Sequence, residues 1–298
     1  MNNILTPKWL RLPLLALITV IPHTHLSAAT AKDEVTRYSP PLGSFNFDFE
    51  RLGKTEVKQI KQLQKIGYTG MAMKLGSTAQ LQSFDRYRKA IQNTDFKIYA
   101  GFVAAKLGKG PLTLHPQLGS ILKRLKSVDA KLWVIIREDA PLKRNQVLRV
   151  LKDAADQAKA AGVELVIYPH DNTFIESAED ALSYIKQLKH DNLFVSLHLC
   201  HEIRAGNGER LKEVAAKIKP YIRLASINGA DKKYIDNTLD WSRTIQPLGS
   251  GDYDASKLLQ ALSSIDYSGP VILHTFGLQK APAHHHHSSY KHYQSMLR

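Results

Sequence analysis

Short apolar or alternating runs recur about every 25–35 residues along the chain, each followed by a stretch of helical spacing. That alternation marks a parallel sheet with helical crossovers. The runs predict strands at Ser44–Phe49, Thr69–Leu75, Phe96–Val103, Lys131–Arg137, Val163–His170, Leu193–Cys200, Ile222–Asn228 and Pro270–Phe276. Between them, Thr55–Ile66 places Val57, Ile60, Leu63 and Ile66 on one face. Leu142–Ala161 does the same with Val147, Leu148, Leu151, Ala154, Ala155 and Ala158, the rhythm of a half-buried helix. Gly67 and Gly162 follow these two helices, where a left-handed cap costs glycine least. Eight such units predict the α/β class and a closed (β/α)8 TIM barrel in a single domain. An open doubly wound sheet is the alternative. Ser44–Phe49, however, leads to Gly53 with neither GxGxxG nor a GxxxxGK phosphate loop, so no nucleotide cofactor is expected.

The first residues read differently. Lys8 and Arg11 precede an apolar stretch, Leu12–Ile21, and Ser27-Ala28-Ala29 supplies small residues for cleavage. This is the three-part pattern of a secretory signal, with a retained anchor helix as the alternative. Residues 1–29 are therefore expected to be a signal peptide, 30–43 a linker and 44–298 the barrel, with a periplasmic or secreted destination. No later apolar run approaches the ~20 residues of a membrane span, so none is expected after signal cleavage. The net charge is +14, but the lysines and arginines are scattered over the predicted helices and form no aromatic-laced stripe. A nucleic-acid partner is not expected. One cysteine, Cys200, excludes a disulfide scaffold. It reads as a small buried residue on the strand face of His198.

In barrels of this class the chemistry sits at the carboxyl ends of the strands. The second strand ends in Lys74, the fourth in Arg137-Glu138-Asp139 and the fifth in Tyr168-Pro169-His170-Asp171-Asn172. The sixth brings His198 and His201, the seventh Ser226, Asn228 and Asp231, and the eighth His274. Apolar strands have no packing reason to finish repeatedly in histidine. Imidazoles converging on one mouth are metal ligands or proton carriers.

The runs GVELVIYPH (162–170), FIESAED (174–180), NLFVSLHLCH (192–201), INGAD (227–231), IQPLGSGDYD (245–254) and YSGPV (267–271) resemble the xylose-isomerase-like TIM-barrel family of sugar phosphate isomerases and epimerases. The likeness is strongest to an exported branch with a Tyr-Pro-His strand end, and it runs from about Phe45 onward. It implies a barrel acting on a small sugar or glycoside. The family usually binds a divalent metal through two glutamates, an aspartate and a histidine. Those positions here are Tyr168, His198, Asn228 and His274, while His170 and His201 match neighbouring family histidines. A carboxylate cage for magnesium is thus not expected. A metal set of His170, His198, His201 and His274 would suit zinc, iron, nickel or copper.

The reaction implied is proton removal beside the carbonyl of a sugar or keto-glycoside, with an epimerase or lyase outcome. His170 or His201 would be the base, with the metal, Lys74 or Arg137 as electrophile and Glu138 or Asp139 as acid–base alternatives. Tyr168, Asn228 and Asp231 would bind substrate, or Asp231 would structure its loop. Trp241 would stack on a sugar face or anchor its loop. A carbohydrate-binding barrel without catalysis remains the alternative function. A phosphodiesterase-type barrel would need more carboxylates than this mouth offers. The run His284–His287 reads as the exposed start of a last helix over Tyr290–Leu297, with an auxiliary metal site as the other option.

Overall fold

A computed structural model describes residues 38–108, 112–232, 240–282 and 284–297; the signal-like segment lies outside them. Eight parallel strands close in sequence order into a barrel. They are β1 (Leu42–Phe45), β2 (Gly70–Lys74), β3 (Lys97–Leu107), β4 (Lys131–Glu138), β5 (Leu165–Ile167), β6 (Leu193–His198), β7 (Ile222–Ile227) and β8 (Val271–Leu273). The register closes through Ser44 opposite Leu273. The helices are α1 (Glu56–Ile66), α2 (Thr78–Ala90), α3 (Leu118–Lys126), α4 (Arg144–Ala160), α5 (Ala178–Leu188), α6 (Leu199–Arg204), α7 (Leu211–Ile218), α8 (Trp241–Thr244), α9 (Ser256–Ser263) and α10 (His285–Met296). No helix among the described residues is long and apolar enough to cross a membrane.

Local chemistry sets the helix ends. Thr55, Ser77 and Ser177 each accept a backbone N–H of the first turn, at 3.4, 3.3 and 3.1 Å. Gly67 and Gly162 take positive φ after α1 and α4, as predicted. A Cβ on Gly67 would also lie 2.2 Å from the Tyr290 ring of α10.

The strands depart from the predicted spans at their ends. β1 starts two residues early, and the chain turns at Asn46 into a short 3-10 helix over Phe49–Leu52. β3 runs four residues further than its apolar run, to Leu107. β5 and β8 are only three residues each. Cys200 and His201 belong to α6, so β6 ends at His198, short of its predicted span; Cys200 still lies beside His198, through the start of the helix and not through strand alternation.

Two apolar layers follow from the pleat. Outward residues of the strands pack under the helices in one continuous core. Inward residues fill the barrel with rings. Phe45 stacks on Trp133 at 5.2 Å, Trp133 on Tyr168 at 4.5 Å, and Tyr168 on His198 at 4.3 Å. The Trp133 indole donates to Ser196 Oγ at 2.8 Å, and Ser196 donates to the Ile167 carbonyl at 3.2 Å. The one polar atom of the largest buried ring is thereby satisfied.

Trp133 should be the costliest single truncation inside the barrel. Trp133→Ala is expected to lower the unfolding free energy by about 3–5 kcal/mol in urea titrations. A loss below ~1 kcal/mol would mean that the interior collapses to fill the space.

Candidate active site

The carboxyl ends of the strands open into a cavity of about 330 Å³. Lys74, Lys106, Arg137, Tyr168, His170, His201, Trp241 and His274 line it, together with Phe47, Phe102 and Phe276. Among the described residues no carboxylate does. The three cations stand at the ends of β2, β3 and β4, where alternation turns them inward; Lys106 and Arg137 are register partners. All three are exposed, and none forms an ion pair with another described residue.

Three histidines meet here, and backbone groups set the polarity of each ring. The loop after β5 turns through Asn172 at φ 57°, with the His170 N–H donating to the Ile175 carbonyl at 2.9 Å. His170 Nδ1 lies 2.7 Å from the Asp171 carbonyl, which can only accept, so Nδ1 carries the proton and Nε2 is a lone pair. His201 has the opposite sense. The Asp171 N–H donates to His201 Nδ1 at 3.2 Å, so neutral His201 carries its proton on Nε2, a buried atom with no protein partner. His274 repeats that sense. Its Nδ1 accepts from the Phe276 N–H at 3.2 Å, and Nε2 donates to the Tyr168 hydroxyl at 3.1 Å. Tyr168 is then left with its own O–H to give. Two relays thus start on backbone N–H groups and end as donors, while one imidazole ends as an acceptor.

The frame around these rings is tied by charge. Arg204 donates to Asp171 at 2.5 Å, and its guanidinium lies 4.3 Å from the centre of the Trp241 ring. Trp241 in turn stands 5.5 Å from both His170 and His201. His198 sits below the mouth, wholly buried, its Nδ1 3.4 Å from Cys200 Sγ. As expected, Cys200 is buried, and burial pushes its thiol well above the ordinary range.

His198, Cys200, His201 and His274 each bring one ligand atom within 4.8 Å of the others, so this group could bind a metal ion. His170 falls outside it and Cys200 joins it. The hydrogen bonds weigh against a four-ligand cage in this arrangement. A metal needs a bare nitrogen facing it, and a backbone N–H that occupies Nδ1 leaves the ring proton on the other nitrogen. His201 and His274 accept on Nδ1 and hold the proton on Nε2.

The remaining candidates lie away from the cavity. Glu138 faces outward from Arg137 and borders the adjoining groove with Asp139 and Asp171. Asn228 is buried and spends its amide on the Gly229 and Thr244 carbonyls, at 2.8 and 2.7 Å. Asp231 pairs with Arg243 at 2.8 Å and accepts from Gln246 at 2.9 Å. Both hold the connection after β7. The sequence reading missed Lys106; with β3 extended, its inward alternation with Phe102 and Ala104 would have shown it.

Burial pushes all four imidazoles below the usual histidine range, aided by repulsion from neighbouring imidazoles or Arg137. His170 falls to about 4 and His274 to about 3, with His198 and His201 also well lowered. Unfolding must therefore take up protons below the free value of 6.5, so stability falls as pH drops from there toward 4 and 3. Buried Glu202 acts in the reverse sense. Burial raises it to about 7 against hydrogen bonds from the Ala178 N–H and Asn207, so its contribution falls as pH rises from 4.5. These four imidazoles against Glu202 give a net uptake of up to three protons between about pH 6.5 and 4.5, and buried His286, also lowered, acts in the same sense. The unfolding free energy should fall over that interval by about 1.4 kcal/mol per pH unit for each proton, and the melting temperature should drop with it. A flat profile would show that these rings are already charged in the folded protein.

A comparison with curated proteins finds no match. Among solved structures, the barrel is similar to 3-keto-D-glucoside 4-epimerase from E. coli. That pair shares 16% identity over 86% of this chain and 100% of the other, with a TM-score of 0.70. D-psicose 3-epimerase from Clostridium cellulolyticum H10, solved with D-tagatose, is 13% identical over 87% and 99%, TM-score 0.61. The IOLI protein with a bound zinc atom is 17% identical over 86% and 97%, TM-score 0.62. At these identities the likeness is one of fold. Residues 60–297 match the xylose isomerase-like TIM barrel family, and with the closed eight-strand barrel this match shows that the chain belongs to that family.

Proposed function

We propose that this protein is an exported sugar isomerase or epimerase-like enzyme that removes a proton beside the carbonyl of a sugar or keto-glycoside, ending in epimerisation or elimination. The polarity of the three imidazoles at the mouth carries the reading. His170 offers a bare Nε2 held in one tautomer by the Asp171 carbonyl, while His201 and Tyr168 offer donors. A base beside oriented donors is what enolate formation requires. The epimerases among the structural neighbours support the same class. The compartment rests on the signal-like first residues.

In this mechanism the C–H proton moves to His170 Nε2 and the C–H electron pair becomes the enolate double bond. The carbonyl oxygen then carries the negative charge. His201 Nε2–H and the Tyr168 hydroxyl donate to that oxygen, and the cationic rim of Lys74, Lys106 and Arg137 favours the charge. Release of the abstracted proton from His170 to solvent and uptake of a solvent proton on the opposite face give the epimer. Loss of a group from the next carbon gives the elimination product instead. Neutral His201 suits this part, because a donor that stays uncharged stabilises an oxyanion without surrendering its proton. Trp241, Phe47 and Phe276 supply flat faces for a sugar ring.

The test is exchange of substrate C–H for deuterium, followed by NMR across glucosides, 3-keto-glucosides and sugar acids. His170→Ala should cut exchange by ~10²-fold or more, and His201→Ala by a comparable factor. Because His170 is pushed down to about 4, it stays a free base well below the ordinary histidine range, and exchange should fall only as pH drops through that value. Sugar binding without exchange at any pH would favour the binding-only barrel, which Tyr168 and Asn228 at the family's ligand positions already suggest. Unchanged rates in both variants would remove these residues from the chemistry.

A further inference from the structure

The histidine run at the start of α10 splits in two. His284 and His287 are exposed, whereas His285 and His286 are buried, each only 1% accessible. The expectation of an exposed helix start is corrected for the inner pair. They turn onto Asp48, itself buried, at the start of the 3-10 turn after β1. His285 Nε2 is 2.5 Å and His286 Nε2 3.3 Å from Asp48 Oδ2. One ligand atom from each of the three lies within 4.8 Å of the others.

The unsatisfied atoms here are of the opposite kind from those at the barrel mouth. A carboxylate only accepts, so His285 donates through Nε2 and keeps a lone pair on Nδ1, which has no partner. Asp48 Oδ1 is a second buried acceptor without a donor, and neither nitrogen of His286 has a hydrogen bond. The Phe49 and Tyr68 rings pack edge-on to His286, at 6.0 and 5.9 Å, so the surroundings are apolar. The cluster therefore holds surplus lone pairs and a carboxylate in a place that water reaches poorly. Such a place calls for a cation.

We propose that Asp48, His285 and His286 form a zinc site that fastens the last helix to the loop after the first strand. Two imidazoles and one carboxylate are a common zinc donor set, with water in the fourth position. The 3.3 Å between His286 Nε2 and Asp48 Oδ2 is the spacing of two ligands each about 2.0–2.1 Å from a tetrahedral ion. For the ion to bind His285 Nε2, the proton that His285 now shares with Asp48 moves to His285 Nδ1, which is a bare nitrogen in this arrangement. Its mechanical effect follows from the chain, since Phe47, the residue before Asp48, lines the cavity. The site thus couples α10 to one wall of the mouth. Arg51 reinforces the same junction by donating to the carbonyls of Leu278, Gln279 and Ala281.

Untagged protein, purified without a metal-affinity step, would be titrated with Zn²⁺ against a chromophoric chelator and with Co²⁺ for its spectrum. One equivalent should bind with micromolar or tighter affinity. The cobalt spectrum should lack the thiolate charge-transfer band that ligation by Cys200 would give. Asp48→Asn and His286→Gln should each weaken binding at least 100-fold, while His284→Ala and His287→Ala leave it unchanged. Circular dichroism would confirm that the variants fold; should they not, the wild-type stoichiometry and cobalt spectrum decide alone. Absence of binding, a thiolate band, or equal affinity in the folded Asp48 or His286 variants would overturn the assignment.

Discussion

Backbone hydrogen bonding decides what each imidazole at the mouth can do. A histidine side chain is ambivalent, since either ring nitrogen can hold the proton. Here the peptide on either side of Asp171 removes the choice twice: its carbonyl fixes the proton of His170 on Nδ1, and its N–H fixes that of His201 on Nε2. One residue in one turn therefore sets a base and a donor with ring centres 4.2 Å apart. The price is a buried N–H with no protein acceptor, which costs about 1–3 kcal/mol until something binds it. A substrate oxygen carrying new charge would recover that energy at the moment of reaction.

The turn is held from below and from the side. From below, the stacked rings of Phe45, Trp133, Tyr168 and His198 fill the barrel and leave no room for Tyr168 to drop away from the mouth. From the side, the Arg204 side chain is 3% exposed and bonded to Asp171, so moving the turn would break the buried ion pair of its guanidinium. The same guanidinium lies against Trp241. The loop after β5, helix α6 and the segment after β7 are thereby fixed to one another through a single cation.

The sequence carried the fold plainly because eight apolar runs with helical spacing between them leave few topologies. The convergence of His170, His201 and His274 was also legible, since all three stand where strands finish. What could not be read was set by contacts between distant segments. Lys106 follows Ala104 and Ala105, too weakly apolar to extend β3 by pattern, so its strand seemed to end at Val103. Cys200 and His201 sit in a helix that starts straight from β6 without a polar linker. His285 and His286 look like solvated residues in a run of four. Only their packing against Asp48, 237 residues away along the chain, makes them core. Tautomers are the extreme case, because no property of a histidine's neighbours in sequence reveals which backbone atom it will meet.

The charge balance of the mouth links these features to the lost carboxylates. The family resemblance expects acidic ligands at several strand ends, where they would offset a bound cation. The resemblance puts Tyr168, His198 and Asn228 at those positions, and among the described residues that line the cavity there are three cations and no acid, the nearby carboxylates standing in the adjoining groove. An acidic cage next to three such cations would pair with them and quench both. With neutral side chains at those positions, Lys74, Lys106 and Arg137 keep a positive field over the mouth. The imidazoles must then remain uncharged, since a fourth positive group would be repelled, and burial together with this repulsion keeps His170 near 4. A neutral base, two donors and a cationic rim all favour the same event, the appearance of one negative charge on oxygen.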